Sequence, residues 1–257
     1  MKRTGFTWLP GLVWIGIAAL ASGCGDDATA PNPASFSGLV AWFDASSLSG
    51  FAEDDPVGTW PDRSGNGNDA TQATAANQPL YKASLIGGKP GLSFDGADRL
   101  ATGNVSLGPF SVFLVFSSTN QGMPLTHANV FSGNGHWLYT DEGCALDVRR
   151  GGLFSGKDVG AGWATDGVVR IATQTFDGTH AGSLLYINGA ARALLECLSD
   201  QDPGTTPVSG PLGIGDIAAV GFPIIGSIAE IIVYDRVLDD GERQAIEAYL
   251  NAKYSVH

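Results

Sequence analysis

An oxygen-rich loop is the first feature of this sequence that could do chemistry. Between residues 62 and 69, polar side chains alternate with glycines that permit tight turns, and the oxygen donors are Asp62, Ser64, Asn66, Asn68 and Asp69. Calcium takes about six to eight oxygen ligands, and a loop of this composition supplies several of them. An EF-hand is excluded, because Ala73 stands where the bidentate glutamate belongs. The alternative is a turn stabilised by Asx hydrogen bonds without a metal.

Asp95 and Asp98 form a second and weaker oxygen cluster, in the segment Phe94-Asp95-Gly96-Ala97-Asp98. Carboxylates next to a glycine turn suit the same hard cation. The sequence therefore suggests structural Ca²⁺ as the cofactor, with the candidate ligands Asp62, Asn66, Asn68, Asp69 and Asp95.

Aromatic and arginine side chains make a candidate ligand-binding set. Sugar recognition needs an aromatic face against the apolar side of the ring and planar polar groups for the hydroxyls. Trp137 and Tyr139 are two residues apart, so in a strand they point the same way, and Arg149 and Arg150 follow closely. The alternatives are that the aromatic pair fills the core and that the arginines neutralise nearby acids.

The N-terminus indicates export. Met1-Lys2-Arg3 is basic, Phe6 to Ala21 is largely apolar, and Leu20-Ala21-Ser22-Gly23-Cys24 ends the run with small residues before a cysteine. This resembles a bacterial lipoprotein signal peptide, although Ala21 stands where such signals usually carry leucine. The resemblance implies a signal peptide over 1–23 and lipidation of Cys24. The alternatives are an ordinary secretion signal and an uncleaved anchor helix.

The remaining cysteines follow from that assignment. If Cys24 is lipidated, Cys144 and Cys197 remain as an even pair in an oxidising compartment, which favours a disulfide. Two buried free thiols are the alternative. The segment 24–35 is small, polar and proline-containing, which predicts a flexible tether, and 36–257 then forms the folded domain. A net charge of −12 disfavours nucleic acid and anionic membranes as partners.

The elements that must position these residues are mostly strands. Alternating or continuous apolar runs predict strands over 39–43, 91–94, 110–116, 168–176 and 228–234. Asn188-Gly189 between 184–187 and 190–195 predicts a hairpin with a type I′ turn. One helix begins at the capping box Asp239-Asp240-Gly241-Glu242, and its short apolar stripe predicts packing on the outside of the sheets.

Three ordered segments carry a family resemblance. They are Leu39–Ala45 with Trp60–Ala70, Leu92–Gly96, and Gly226–Arg236 with the helix end Glu247–Leu250. Together they resemble a laminin-G-like domain of the concanavalin A-like lectin/glucanase superfamily. The resemblance implies an all-β fold, a jelly-roll β-sandwich of two antiparallel sheets with a short C-terminal helix. It also implies a calcium site and recognition of carbohydrate or protein, although the superfamily includes glycosidases and lyases.

The carboxylate pattern argues against catalysis. Glycosidases of this fold carry Glu-x-Asp-x-Glu along one strand, and no such spacing occurs here. Glu230 lies alone within a predicted strand and shares a face with Ile228 and Ile232, which favours a structural role. No Gly-x-Ser-x-Gly motif is present.

The sequence thus predicts a non-enzymatic recognition domain. We expect it to bind a glycan or an extracellular protein and to be held at the bacterial cell envelope through lipid on Cys24, facing the periplasm or the cell surface. The alternatives are a glycan-active hydrolase or lyase on the same fold and a purely structural envelope protein.

Overall fold

The computed structural model describes residues 31–128, 133–140, 144–160, 162–216 and 221–257. Within these ranges the strands are β1 (Leu39–Asp44), β2 (Thr59–Trp60), β3 (Ala70–Thr71), β4 (Leu80–Ile86), β5 (Lys89–Asp95), β6 (Leu100–Leu107), β7 (Phe110–Ser118), β8 (Leu125–His127), β9 (Gly135–Leu138), β10 (Leu146–Arg150), β11 (Leu153–Asp158), β12 (Arg170–Phe176), β13 (Leu184–Ile187), β14 (Ala190–Ala191), β15 (Leu195–Asp200), β16 (Val208–Ile214) and β17 (Ile225–Tyr234). The α-helix α1 spans Asp240–Tyr254, and short 3-10 helices occupy Pro33–Ser35, Ala45–Ser47 and Ala75–Asn77.

The strands form two antiparallel sheets, which confirms the predicted β-sandwich of jelly-roll type. The eight-stranded sheet has the order β14-β13-β12-β7-β17-β5-β4, and β1 also pairs with β17. The nine-stranded sheet has the order β15-β11-β10-β9-β8-β16-β6-β3-β2. Central β7 is buried along both faces, as its continuous apolar run requires.

Two apolar layers follow from this arrangement. The inner core lies between the sheets and contains Phe43, Trp60, Phe110, Leu114 and Phe176 among others. The outer core lies between the eight-stranded sheet and α1, where Phe113 and Val115 of β7 meet Ile246 and Leu250 of the helix. Alternation along β7 therefore supplies both layers, and the predicted position of the helix outside the sandwich is confirmed.

A bulge in β17 corrects one prediction about that strand. Ile228 pairs with Phe116 and Glu230 pairs with Val115, so one extra residue stands between them. Ile228 packs in the inner core, whereas Ile232 belongs to the outer one, beside the helix-bound Glu230. Ile228 and Glu230 thus do not share a face, because the inserted residue reverses the alternation.

The predicted hairpin is partly confirmed. Asn188 and Gly189 both have positive φ, at 53° and 77°, as a type I′ turn requires. The second strand ends at Ala191, however, and the chain then crosses to the other sheet to begin β15. The expectation of one strand from Ala190 to Leu195 was therefore wrong.

The start of the domain lies earlier in the chain than the predicted tether allows. Asn32 caps the Pro33–Ser35 turn, and the Tyr234 hydroxyl donates to the Pro33 carbonyl at 2.7 Å. Pro33 is buried. The end of the predicted tether thus packs on β17. The predicted signal peptide and Cys24 lie outside the described residues.

Candidate ligand-binding site

The β9–β10 pair carries the predicted ligand residues but divides them. Gly135 pairs with Arg149 and Leu138 pairs with Leu146. Tyr139 therefore lies at one end of the pair, next to the β9–β10 connection, whereas the two arginines lie at the other end. Trp137 pairs with Asp147 in the ladder, but its side chain is outside the described part of the chain.

Asp147 and Arg149 occupy the outward face of the nine-stranded sheet. Leu146 and Val148 pack in the inner core. Because side chains alternate along a strand, Asp147 and Arg149 point away from that core. Both carboxylate oxygens of Asp147 accept from Nε of Arg149, and Oδ2 also accepts from Nη2 at 2.8 Å. The guanidinium lies 5.1 Å from the ring centre of Phe154, the cross-strand neighbour of Arg149. These contacts hold a planar cation against an aromatic ring.

The carboxylate of Asp147 is fully buried although it lies on an outward face. Burial raises its pKa, and the hydrogen bond and charge of Arg149 oppose that change. Asp147 consequently acts as the partner that orients Arg149, which keeps one fifth of its side chain exposed.

Tyr139 contributes to an aromatic surface at the other end of the pair. Its ring lies edge-on to that of Phe222, with 5.8 Å between ring centres, and its hydroxyl lies 3.3 Å from Oε1 of Gln121. The indole of Trp163 donates to the Tyr139 carbonyl at 2.9 Å and fixes this part of the backbone. Phe222 is 36% exposed. Aromatic faces beside a planar amide are the groups that carbohydrate recognition uses.

Arg150 points into the sandwich instead of toward the surface of Arg149. It continues the inward series of Leu146 and Val148 and is 3% exposed. Its Nη1 donates to the Gly135 and Arg149 carbonyls at 3.0 and 2.8 Å, and Nη2 donates to Leu107 and Gly108 at longer range. The two neighbouring arginines therefore belong to opposite faces of the sheet.

Two histidines next to Arg150 were not assigned a role from the sequence. His127 and His136 are cross-strand neighbours, and their ring centres are 5.2 Å apart in the interior. Burial lowers the pKa of His127 to about 4 and that of His136 well below its usual value, and the charge of Arg150 adds to both effects. Both rings are neutral at physiological pH. The alternation of His136 with the apolar Leu138 was the signal that could have placed it inside.

The predicted disulfide is present. Cys144 lies in the β9–β10 connection and Cys197 in the edge strand β15, and their Cα atoms are 5.5 Å apart. The bond ties this connection, which carries Tyr139, to the edge of the nine-stranded sheet.

The oxygen-rich loop is held by hydrogen bonds to β1. Oδ1 of Asp62 accepts from the amides of Trp42 and Ser64, and Oδ2 accepts from the Ser64 hydroxyl and the Asn68 amide. Oδ1 of Asp69 accepts from the amide of Asp62. The side-chain amides of Asn66 and Asn68 donate to backbone carbonyls of β1. The Asp62 carboxylate and Oδ1 of Asp69 thus accept hydrogen bonds from the chain, as the alternative of a turn stabilised by Asx hydrogen bonds requires.

No three acidic, histidine or cysteine side chains of the described ranges converge on a point where they could share a metal ion. Asp95 closes its own turn by accepting from the Ala97 amide, and Asp98 accepts from the amide of Asp95. The assignment of calcium to Asp62, Asn66, Asn68, Asp69 and Asp95 stays a prediction.

A serine, a histidine and a glutamate form a chain of contacts that sequence spacing could not reveal. Oγ of Ser155 lies 2.8 Å from Nδ1 of His180, and Nε2 of His180 lies 2.6 Å from a carboxylate oxygen of Glu196. Ser155 is fully buried, so its hydroxyl is closed to a substrate. The three residues join β11, β15 and the β12–β13 loop.

No protein-family model matches the chain, and no curated protein matches it. Solved structures do share its fold. Trypanosoma rangeli sialidase in complex with sialic acid aligns with 84% of this chain at a TM-score of 0.56 and 14% identity, and this chain covers 33% of the sialidase.

Two further structures with this fold are single parts of larger proteins. Domain 4 of AbnA, a GH43 extracellular arabinanase from Geobacillus stearothermophilus, in complex with arabinotriose, aligns over 81% of this chain and 97% of its own length, with a TM-score of 0.54 and 16% identity. The receptor-binding domain of botulinum neurotoxin type G aligns over 84% of this chain and 52% of its own length, with a TM-score of 0.51 and 13% identity. At these identities the likeness shows the sandwich fold alone.

In the part of the chain that the structure describes, α1 and the shorter helices lack the length and apolar character needed to cross a bilayer.

Proposed function

We propose that this domain is a non-catalytic recognition module that binds a glycan along the outward face of β9 and β10. The observation that carries the proposal is the surface of Tyr139, Phe222 and Gln121, where two perpendicular rings stand beside an amide. Such rings pack against the apolar face of a sugar, and an amide forms hydrogen bonds with the sugar hydroxyls. The Arg149 guanidinium, fixed by Asp147 on the same outward face, offers a second planar group.

The structural neighbours support recognition as the role of the fold. The AbnA domain, which this chain covers almost from end to end, was solved with arabinotriose, and the neurotoxin neighbour is a receptor-binding domain. Because a sandwich fold hosts many activities, the proposal of glycan binding rests on the surface chemistry of Tyr139 and its neighbours.

Two buried acids of the described residues, Asp147 and Glu230, are not placed for turnover at this surface. A glycosidase needs a carboxylic acid that reaches the glycosidic oxygen and a second carboxylate across the bond. Asp147 is fully buried and paired with Arg149, so it is not available for that work. Glu230 is likewise buried, on the other side of the eight-stranded sheet.

The proposal includes export and lipid anchoring through Cys24, as its signal-like N-terminus suggests. The laminin-G-like resemblance, structural calcium and a location at the bacterial envelope remain parts of this proposal. Cys24→Ala should release the protein from the membrane fraction, because acyl chains supply the membrane affinity. An unchanged membrane fraction would count against lipidation.

Retention on a panel of immobilised neutral polysaccharides tests the binding function. We expect retention of the native domain without new reducing ends or unsaturated products. Tyr139→Ala and Phe222→Ala should each weaken retention about tenfold, the loss of one stacking contact of roughly 1.4 kcal/mol. Tyr139→Phe, which keeps the ring, is the matched control and should retain most of the affinity.

Each outcome decides between the alternatives. Products released into solution would contradict the non-catalytic assignment and favour a glycan-active enzyme. Failure to bind any polysaccharide would contradict glycan recognition and favour a protein partner or a structural role. A loss of thermal stability in Tyr139→Ala as large as that of a core variant would show that the ring serves packing.

A further inference from the structure

A polar cleft opens at the end of the β9–β10 pair that is remote from Tyr139. It has a volume of about 260 Å³ and is lined by Asn134, Arg150, Gly151, Pro203, Thr206, Pro207 and Val208. One wall is the turn that joins β10 to β11, and the other is the segment that leads into β16. This segment packs tightly on the β6–β7 turn, where a Cβ on Gly108 would lie 2.8 Å from the Thr205 carbonyl oxygen.

The cation that lines this cleft lacks a counter-charge. Across the described ranges, no aspartate or glutamate lies within ion-pair distance of Arg150. Its partners are four backbone carbonyls, and its Nε is buried without a hydrogen-bond acceptor. The chain carries a net charge of −12, so a lone buried cation is not explained by a shortage of acids.

The surroundings keep this charge uncompensated. The guanidinium lies 5.7 Å from the ring centre of Phe176, and the nearby His127 and His136 are neutral because burial lowers the pKa of both. Burial also lowers the pKa of Arg150 to about 10, which leaves it charged at neutral pH. An unpaired charge at such a position is costly, and a bound anion would relieve that cost.

The cleft offers further groups for a ligand. Asn134 is fixed at the entrance, because its Oδ1 accepts from the Gly151 amide at 2.9 Å. The Thr206 side chain is exposed, and Pro203, Pro207 and Val208 give the cleft apolar walls. A guanidinium beside hydroxyl and amide groups with apolar walls suits an anionic group on a carbon skeleton.

We propose that this cleft is an anion-binding site that takes the carboxylate or sulfate group of an acidic glycan, with the Arg150 guanidinium as its counter-ion. That the anion belongs to a glycan rests on the proposed function; the anion site itself does not. The site is separate from the Tyr139 surface, so an acidic chain could engage both ends of the β9–β10 pair.

Titration of the folded domain with galacturonate, galactose and inorganic sulfate, followed by NMR at low ionic strength, tests this site. We expect galacturonate or sulfate to shift the amide signals of Gly151 and Thr206, and galactose to leave them unchanged. Added salt should weaken the binding, as it does for charge-assisted contacts. The two anions distinguish a carboxylate-bearing from a sulfate-bearing ligand.

Two variants probe the role of the cleft. Arg150→Met should lower the affinity for the anion at least tenfold, whereas Arg192→Met removes an equal charge at an exposed position and should leave the affinity unchanged. Thr206→Trp fills the cleft from an exposed position and should also abolish binding, even if Arg150→Met does not fold.

Absence of any shift up to about 50 mM of either anion, far above a millimolar Kd, would overturn the anion site. Anion binding that survives both Arg150→Met and Thr206→Trp would overturn it as well. Anion binding by a domain that retains neither neutral nor acidic polysaccharides would leave the anion site standing and remove the glycan assignment, so the two proposals fail separately.

Discussion

Two regions of the molecule bury a charge but compensate it differently. One is the contact between α1 and the eight-stranded sheet, which buries Glu230. The other is the end of the β9–β10 pair that buries Arg150. Glu230 accepts from the Trp42 indole, the Tyr249 and Tyr254 hydroxyls and the Lys253 ammonium, at 2.7 to 3.0 Å. Within the described residues, the hydrogen bonds of the Arg150 guanidinium go to backbone carbonyls only.

The Glu230 arrangement is complete within the chain. Burial raises its pKa, and the Lys253 ammonium opposes this change. Lys253 also pairs with Asp44 at 2.7 Å, so one helix residue joins two strands. Each oxygen of Glu230 has two donors, which leaves no opening for a ligand. A buried charge with every partner in place indicates structure, whereas one without a counter-charge beside a cleft indicates a ligand.

Removing the disulfide at the β9–β10 connection should have the largest effect on stability. Replacing both Cys144 and Cys197 with Ala should lower the free energy of unfolding by about 4 kcal/mol, the loop-closure cost for this spacing. The sequence separation is 53 residues. Urea unfolding measures the loss, and reductant should not destabilise the variant further. Hydrogen exchange should rise more in β9 and β10 than in α1; equal rises would contradict a local role for the bond.

Removing the charge of Glu230 at the contact with α1 should lower the free energy of unfolding nearly as much as removing the disulfide. Glu230→Gln leaves the partly buried Lys253 ammonium with Asp44 as its ion-pair partner, and we expect a loss of about 3 kcal/mol. The loss should concentrate in α1, whose amides should lose exchange protection while β9 and β10 keep theirs. A loss below about 1 kcal/mol would show that the four donors contribute little, and the contrast with Arg150 would collapse.

A third buried charge, Asp98, gives a pH-dependent test. Burial raises its pKa to about 6, with the charge of Asp95 adding to the effect. The native state therefore holds this proton more tightly than the unfolded chain, and stability falls as pH rises through about 4 to 6. Asp98→Asn should remove this fall. The free energy of unfolding of the variant, relative to that of the unsubstituted protein, should therefore rise by about 1–2 kcal/mol between pH 4 and 7. Parallel pH profiles from chemical denaturation would contradict the assignment.

The smallest effect should come from an exposed ion pair that serves as the control for Glu230. Asp166 and Arg170 form a bidentate pair, with 48% of the Asp166 side chain exposed. Asp166→Asn should change stability by less than about 1 kcal/mol, because solvent screens such pairs. The same urea experiment measures both variants, and a loss equal to that of Glu230→Gln would show that burial does not set the difference.

Much of the fold could be predicted because its signals are local. The apolar run of β7, the Asn188-Gly189 turn and the capping box at Asp239 each act within a few residues, and all three are present. The sequence did not predict that β14 ends at Ala191. The point at which a strand leaves its sheet depends on tertiary packing, here on the pairing of the following residues with the nine-stranded sheet.

The candidate site was only partly predictable. Tyr139 and Arg149 could be named from their types, but their neighbours Phe222 and Phe154 come from other strands and loops. The inward direction of Arg150 was readable in principle from its alternation with Leu146 and Val148. The bulge before Glu230 was not, because an extra residue in a strand leaves no mark in the apolar pattern.

The sequence by itself determined the layers: alternation of period two fixes which strand residues face a core, and helical spacing with an N-terminal cap fixes α1. Only the tertiary structure decided which charges meet. Trp42 and Glu230 are 188 residues apart, and their hydrogen bond depends on the pairing of β1 with β17 and on the packing of α1. Charges act through space, so the structural role of Glu230 and the unbalanced charge of Arg150 emerge only when distant strands come together.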